Sequence, residues 1–305
     1  MVNFSVGCHV SAAGGVWNAP KNASDLACET FQIFTRPPMG GKASPIDDLV
    51  IERFKEEMEK YGFTDFVAHC PYYINFGSSK SRIYQGSISV VREELERASL
   101  LGARYIMTHL GSFKDLGAEK GMKQAKQGLK EVLKGYKGKT EFLLEIAAGS
   151  GETIGGSFEQ LAELMEPLVK IKGFGGICFD TQHAFSSGYD LRDEKSVKAT
   201  FDKLEKVIGL KWLKMSHIND SKVGLSAHKD RHEHIGDGKM GKKSFEAILG
   251  YFGANLPTTS PSVPSRTRGG KSNMDNLCLI LETEHDKVKA DIKILKSIRD
   301  KNSPG

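Results

Sequence analysis

The sequence predicts an α/β protein, a single (β/α)8 TIM barrel, and three observations carry that prediction. Short apolar runs rich in Val, Ile, Phe and Leu alternate with amphipathic stretches along the chain; eight such pairs can be counted; and no change of composition divides them. An apolar run without internal alternation suits a parallel strand covered on both faces, and repeated strand-then-helix units build such sheets. Eight units argue for a closed ring, and 305 residues lie within the reach of one barrel. Residues 1–305 are therefore expected to form one domain.

The first strand, Phe4 to Val10, begins where a secretory signal would need a basic segment and a longer apolar core. A helix over about Val16 to Ala27 leads to the second strand, Thr30 to Thr35, and a helix from Asp47 to Tyr61 leads to the third, Phe66 to Cys70. Ile83 to Leu101 is helical and stops at Gly102, a residue suited to the left-handed helix end. Strand four, Tyr105 to Leu110, is followed by a helix over Lys120 to Lys134. Strand five, Glu141 to Ile146, precedes a helix over Phe158 to Val169 that Ser157 caps. Strand six, Gly176 to Thr181, leads to the helix Lys195 to Ile208, and strand seven, Trp212 to Ile218, to the helix Ser244 to Tyr251. The eighth strand, Leu277 to Thr283, precedes a final helix over Lys287 to Arg299. The segment from Asn255 to Asn276, rich in Pro, Ser, Thr and Gly, fits no unit and is expected as a mobile surface insertion. It carries Arg266, Arg268 and Lys271, yet it enters the last strand at its amino end, the face of a barrel away from the chemistry.

Hydrophobic content of 39% with 27% charged residues supplies an ordinary core. No apolar run is long enough to cross a bilayer, so a cytoplasmic protein without a membrane partner is expected. Cys8, Cys70, Cys178 and Cys278 sit in or beside strand-like runs and Cys28 in a helical stretch, without a CxxC pair. Reduced core thiols are expected rather than a disulfide framework. A formal charge of +5 is compatible with an anionic substrate without requiring one.

The chemistry is written at the carboxyl ends of the strands. They read His9, Thr35 with Arg36, His69, His109, Glu145, Asp180 with His183, His217 with Asp220, and Glu282. A lone Asp-x-x-His is more often a helix cap and a surface histidine than a metal site. Here six consecutive strands end in metal-ligand types, and a barrel gathers those ends into one circle. After strand seven, Asp230 and His232 stand two apart in an extended loop and can grip one ion together. His69, His109, Glu145, Asp180, His183, His217, Asp230, His232 and Glu282 exceed the three or four ligands of one catalytic zinc. Two or three ions are implied, with Glu145 placed to bridge a pair.

Several longer motifs carry a resemblance. HVSAAGG from His9, FQIFT from Phe31, HCPYYINFG from His69, HLGS from His109, CFDTQHAFSSGYD from Cys178, HINDSK from His217, DRHEHIGDGKMG from Asp230 and LET from Leu281 occur in this order. Together they resemble the endonuclease IV family of apurinic/apyrimidinic endonucleases, end to end apart from the Asn255 to Asn276 insertion. The resemblance implies three Zn2+ ions. His69, His109 and Glu145 would hold the first; Glu145, Asp180, His217 and Glu282 the second; His183, Asp230 and His232 the third. The carboxylate-rich second site would best tolerate Mn2+. The implied activity is that of a zinc-dependent DNA repair hydrolase, deoxyribonuclease IV of the phage T4-induced type. It cuts double-stranded DNA 5′ to an abasic site, leaving a 3′-hydroxyl and a 5′-deoxyribose phosphate, and trims 3′-blocked ends in base excision repair. In that reading Glu145 is catalytic, orienting the hydroxide held between ions, and lesion choice depends on flipping out the baseless sugar. The protein is expected to act as a monomer.

The loops that would meet DNA depart from the family. Tyr72 is kept, and Tyr73 stands where a leucine wedge is usual. Arg36-Pro37-Pro38-Met39-Gly40-Gly41-Lys42 lacks the usual asparagine, arginine and tryptophan, and Ile146-Ala147-Ala148-Gly149-Ser150-Gly151 loses two polar side chains of the common N-T-A-G-Q-G. Arg36, Tyr72, Tyr73, Lys222 and Arg231 are the expected DNA contacts, with Lys229, Lys239 and Lys242 nearby. His9, His228, His234 and His285 are left unassigned to metal, His9 as a hydrogen-bonding neighbour of the site. Two rival readings compete. A sugar isomerase or epimerase needs only the Glu145, Asp180, His217 and Glu282 set, and a non-catalytic DNA-damage binder should have lost ligands.

Overall fold

A computed structural model describes residues 4–256 and 277–302. In chain order the strands are β1 Phe4–His9, β2 Thr30–Phe34, β3 Val67–His69, β4 Tyr105–Thr108, β5 Glu141–Glu145, β6 Phe174–Asp180, β7 Leu213–His217, β8 Asp220–Ser221, β9 His232–Glu233 and β10 Leu277–Leu281. The helices are α1 Ala19–Asp25, α2 Asp48–Lys60, α3 Ser81–Leu101, α4 Ala118–Leu133, α5 Phe158–Met165, α6 Thr181–Ser186, α7 Glu194–Val207, α8 Lys242–Asn255 and α9 Val288–Asn302. Eight parallel strands close a barrel in the order β1, β10, β7, β6, β5, β4, β3, β2, while β8 and β9 form a small antiparallel hairpin on its rim. The (β/α)8 barrel read from the sequence is the fold observed.

The barrel separates two apolar layers. Val67, Tyr105, Met107, Leu143, Cys178, Met215, Cys278 and Ile280 fill its interior, so it is a packed core and not a pore. The larger layer lies between sheet and helices. There Phe31 stacks on Phe66 at 5.4 Å and Phe54 meets Phe66 edge-on at 5.0 Å. Burying each such ring stabilises the fold by about 1.5–3 kcal/mol. Register is irregular on both sides of β6: Phe142 faces Phe174 but Leu143 faces Gly176, and Ile177 faces Leu213 but Cys178 faces Met215. Gly176 has φ 142°, and a Cβ there would lie 2.1 Å from the Trp212 carbonyl oxygen, so only glycine allows this approach of β6 to the chain entering β7.

Ser157 accepts a hydrogen bond from the Gln160 amide, and Gly102 ends α3 at φ 86°. The helix expected from Val16 to Ala27 is divided into a 3-10 turn, Val16–Asn18, and α1, because Pro20 lacks an amide to continue the ladder and sits at a helix start. Cys28 consequently lies in the turn before β2 and not in a helix, with its sulfur 3.5 Å from that of Cys8; all five cysteines are free thiols. Helix α8 includes Asn255, so that end of the expected insertion is helical, and positions 257–276 of it lie outside the described residues. No helix among the described residues is long and apolar enough to cross a membrane.

Candidate metal centre

Strands β3, β5, β6 and β7 each end in a buried polar side chain at the same mouth: His69, Glu145, Asp180 and His217. Register makes Asp180 and His217 cross-strand partners. Glu145 is fully buried and central. Its Oε2 lies 3.2 Å from His69 Nε2 and 3.6 Å from His109 Nδ1, while Oε1 lies 2.8 Å from His217 Nδ1 and 3.5 Å from His183 Nδ1. His217 Nδ1 is also 3.3 Å from Glu282 Oε2 and 3.8 Å from Asp180 Oδ2. His232 Nε2 lies 3.5 Å from Asp180 Oδ2 and 3.6 Å from Asp230 Oδ1, and Asp230 Oδ2 is 3.3 Å from His183 Nε2. All nine side chains singled out in the sequence thus occupy one cluster. Ligands held about 2.0–2.1 Å from a tetrahedral ion are themselves about 3.3 Å apart, a value within the 2.8–3.8 Å range of these contacts.

Asp180 is both a helix cap and a candidate ligand. Its Oδ1 accepts from the His183 amide at 2.7 Å and starts the short helix α6, which carries His183 one turn on to the same side. Its Oδ2 accepts from Asn219 Nδ2 at 3.0 Å and faces His232 and His217, so Asp180 stands between the second and third groups.

The imidazoles are oriented by groups outside the cluster. His69 Nδ1 donates to the Cys70 carbonyl at 2.5 Å, His183 Nδ1 to the Ile146 carbonyl at 3.0 Å, and His217 Nε2 to Gln32 Oε1 at 2.8 Å. Each leaves its other nitrogen facing the centre, the arrangement that fixes tautomer and raises ligand basicity. Gln32 Nε2 donates in turn to Glu282 Oε1 at 2.6 Å and to His9 Nδ1 at 3.0 Å. Asn219 accepts from the Glu282 amide at 2.8 Å. Sequence reasoning missed Gln32 and Asn219; the available signal was a buried amide in the middle of an otherwise apolar strand, FQIF, and the Asn two positions after His217.

The donor set fits divalent cations. His183 Nε2 and His232 Nε2 are buried and lack any hydrogen-bond partner, a costly state that an ion between them and Asp230 would relieve. Burial opposes the charged form of Glu145, yet His109, His217 and His183 hold its carboxyl well below the usual range. Burial likewise opposes the charged form of His183, but Asp180, Asp230 and Glu145 raise it well above the ordinary value. Without ions, protons balance this cluster, and cations would displace them. Cys178 also comes near Glu145 and His217, but burial pushes its thiol up to about 11, which keeps it a core thiol at neutral pH.

Asp220, read as a ligand type at the end of strand seven, faces away from the cluster. Its Oδ2 accepts from the amides of Gly236, Gly238 and Gly241 at 3.1–3.2 Å, and its Oδ1 from those of Ser221 at 2.7 Å and Met240 at 3.0 Å. It therefore ties the start of the β8–β9 hairpin, which carries Asp230 and His232, to the turn that follows it. A Cβ on Gly238 would sit 2.4 Å from Asp220 Oδ1, which explains the glycine there.

The family profile of xylose isomerase-like TIM barrels matches residues 20–298. A protein of Nitrosopumilus maritimus named "Probable endonuclease 4" is 40% identical over 248 residues, 81% of this chain and 88% of that protein. One of Campylobacter curvus with the same name is 33% identical over 298 residues, covering 96% and 98%. The chain belongs to the endonuclease IV family. The crystal structure of endonuclease IV from Thermus thermophilus superposes with a TM-score of 0.78 at 27% identity, over 97% of this chain and 99% of that one. A D-tagatose 3-epimerase-like protein shares the fold, with a TM-score of 0.72 at 18% identity over 98% of each chain.

The side chains expected from the sequence to meet DNA fall into two sets, four at the surface and one buried. Tyr72 and Tyr73 are exposed, and Tyr72 lies over His109 with ring centroids 6.5 Å apart and meets Phe34 edge-on at 5.2 Å. Lys222 and Arg231 are exposed and adjacent across the β8–β9 hairpin, the Lys222 amide donating to the Arg231 carbonyl at 3.0 Å. Arg36 requires a correction. Its side chain is only 6% exposed, with Nε 2.7 Å from Glu94 and Nη2 2.7 Å from Glu93, so it does not present its charge to a phosphate. The reason is Glu94 on α3, fully buried, whose carboxylate also receives the Thr35 hydroxyl at 2.6 Å and lies 3.2 Å from Arg97. Removing one member of a buried ion network is strongly destabilising. Glu94→Gln is expected to lower stability by about 3 kcal/mol, read as a lower urea midpoint at unchanged slope.

Proposed function

We propose that this chain is an apurinic/apyrimidinic endonuclease, cutting duplex DNA 5′ to the abasic sugar to leave a 3′-hydroxyl and a 5′-deoxyribose phosphate, and trimming 3′-blocked ends. The observation that carries this reading is the surplus of ligands. Beyond Glu145, Asp180, His217 and Glu282, the cluster holds His69 and His109 on one side and His183, Asp230 and His232 on the other. Three Zn2+ ions match that total, the carboxylate-rich second position tolerating Mn2+.

When bound, the cations would make water a nucleophile at neutral pH and neutralise phosphate charge. Glu145, with one oxygen turned to His69 and His109 and the other to His217 and His183, would orient the attacking water towards phosphorus. Gln32 and Asn219 hold Glu282 and Asp180 in place, and Lys222, Lys229, Arg231, Lys239 and Lys242 supply charge for the DNA backbone. We place the protein in the cytoplasm as a monomer, with residues 1–305 as one domain.

A second reading is an epimerase, favoured by the Glu145, Asp180, His217 and Glu282 group and by the shared barrel. It leaves the other five ligands without a role. The deciding assay offers the purified protein, its metal content measured by elemental analysis, a duplex with one tetrahydrofuran abasic analogue. A nick at the analogue is expected. An intact duplex from metal-loaded protein rejects the reading. Stripping the ions with a strong chelator is expected to abolish nicking and to lower the melting temperature by roughly 10 °C, since each tightly held ion stabilises by several kcal/mol.

A further inference from the structure

Of the five thiols, Cys70, Cys178 and Cys278 are fully buried in the core. The other two meet. Cys8 is buried in β1 and Cys28 is half-buried in the turn between α1 and β2, and their sulfurs lie 3.5 Å apart although 20 positions separate them in the chain. The turn that offers Cys28 is fixed from several sides. The Cys28 amide donates to the Ala23 carbonyl at 3.0 Å, and the Glu29 amide to the Val6 carbonyl at 2.8 Å, so it is tied to both α1 and β1. Ala27 takes the left-handed conformation, φ 61°, uncommon outside glycine, and its carbonyl accepts from Lys296 on α9 at 2.8 Å. Lys296 also lies 3.3 Å from Glu29. The hydrogen bond from the Cys8 thiol holds the Cys28 thiol below its ordinary range against the cost of burial, and the Lys296 ammonium adds to this. On Cys8 the same bond and burial act together and push the thiol up. A reachable sulfur with thiolate character thus stands against a protonated one, the arrangement of an attacking and a resolving thiol.

We propose that Cys8 and Cys28 form a reversible oxidation site, a dithiol that a peroxide converts to a disulfide clamping β1 to the entry of β2 and that a dithiol reductant restores. It does not depend on the endonuclease reading. The Cys28 thiolate attacks one peroxide oxygen; the S–O bond forms as the O–O bond breaks, and the departing hydroxide takes a proton from solvent and leaves as water. The Cys8 sulfur then attacks the sulfur of the Cys28 sulfenic acid; the S–S bond forms, the S–O bond breaks, and the Cys8 proton leaves with the hydroxyl as water. In sum the two thiols lose two hydrogens and one peroxide becomes two waters. Cys8 belongs to the layer between sheet and helices, whereas His9 beside it is bonded to Gln32 at the mouth. The clamp therefore uses neither a member of the metal cluster nor a side chain that orients one. What it restricts is the unfolded chain, by closing a loop around α1.

The test treats the full, folded chain with a modest excess of hydrogen peroxide, then denatures and alkylates it. Five thiols are expected to react before treatment and three after it, the five less the joined pair, in a product with the mass of a single chain. A digest without reductant should yield one peptide pair joined through Cys8 and Cys28, and dithiothreitol should restore all five thiols. The oxidised form is expected to melt roughly 4 °C higher, which oxidation of an isolated thiol would not produce. Cys8→Ser should stop at the sulfenic acid of Cys28, captured there by dimedone, and Cys28→Ser should keep the four thiols left to it. Five thiols still free after treatment, or a bond between any other pair, rejects the site. A Cys8–Cys28 bond that leaves the melting temperature unchanged rejects the clamp.

Discussion

Glu145→Gln is expected to reduce incision by about a thousandfold or more, in line with the loss of a preorganised group that acts only at the reacting centre. The substitution keeps shape and burial but exchanges one carboxylate oxygen for an NH2, which donates and cannot ligate. Both oxygens of Glu145 are engaged, one towards His69 and His109 and the other towards His217 and His183, so whichever position the NH2 takes, one pair loses its partner. The charge lost is the one that those imidazoles surround, and the cations would lose the anion shared between them. Elemental analysis of the variant should show fewer bound ions, and a nicking assay with excess metal should not restore activity. Near-normal cleavage by Glu145→Gln would show that the bridging role is wrong.

The second large effect is expected at a residue that meets no ion. Asp220→Ala leaves four backbone amides of the Gly236–Gly241 turn, and that of Ser221, without the carboxylate that gathers them. Buried donors left unpaired cost about 1–3 kcal/mol each, and partial hydration brings the net loss to roughly 4 kcal/mol. In a chain of this size that lowers the melting temperature by roughly 6 °C. Because that turn follows directly on the β8–β9 hairpin that delivers Asp230 and His232, the variant should also bind one ion fewer while keeping the His69, His109 and Glu145 group. A melt and an ion count unchanged from wild type would contradict this account of the loop.

The contrast between these two residues marks what was legible in the sequence. Glu145 ends an apolar run, and the rule that barrel strands deliver chemistry at their carboxyl ends was enough to find it, as it was for His69, His109, Asp180 and His217. Asp220 also follows a strand and has the right residue type, but its direction depends on amides of Gly236 to Gly241, which no local pattern reveals. Arg36 misled for a related reason. Its partner Glu94 lies 58 positions later, and Glu94's burial is set by how α3 packs on the barrel, not by composition. Helix α6 was missed because six residues give too short a period to recognise, although the Asp180 cap that starts it was in view. Gln32 sat inside a run scored as apolar, where one amide is easily discounted.

Closure of the ring has a consequence for when the protein can act. Glu282 stands just beyond β10, which pairs with β1 and β7, and it is joined to Gln32 across 250 positions. A chain still emerging from the ribosome lacks that last staple, and with it the carboxylate beside His217 and Asp180. Of the nine side chains of the cluster, the carboxylate that is made last is thus set in place only when β10 closes the ring between β1 and β7.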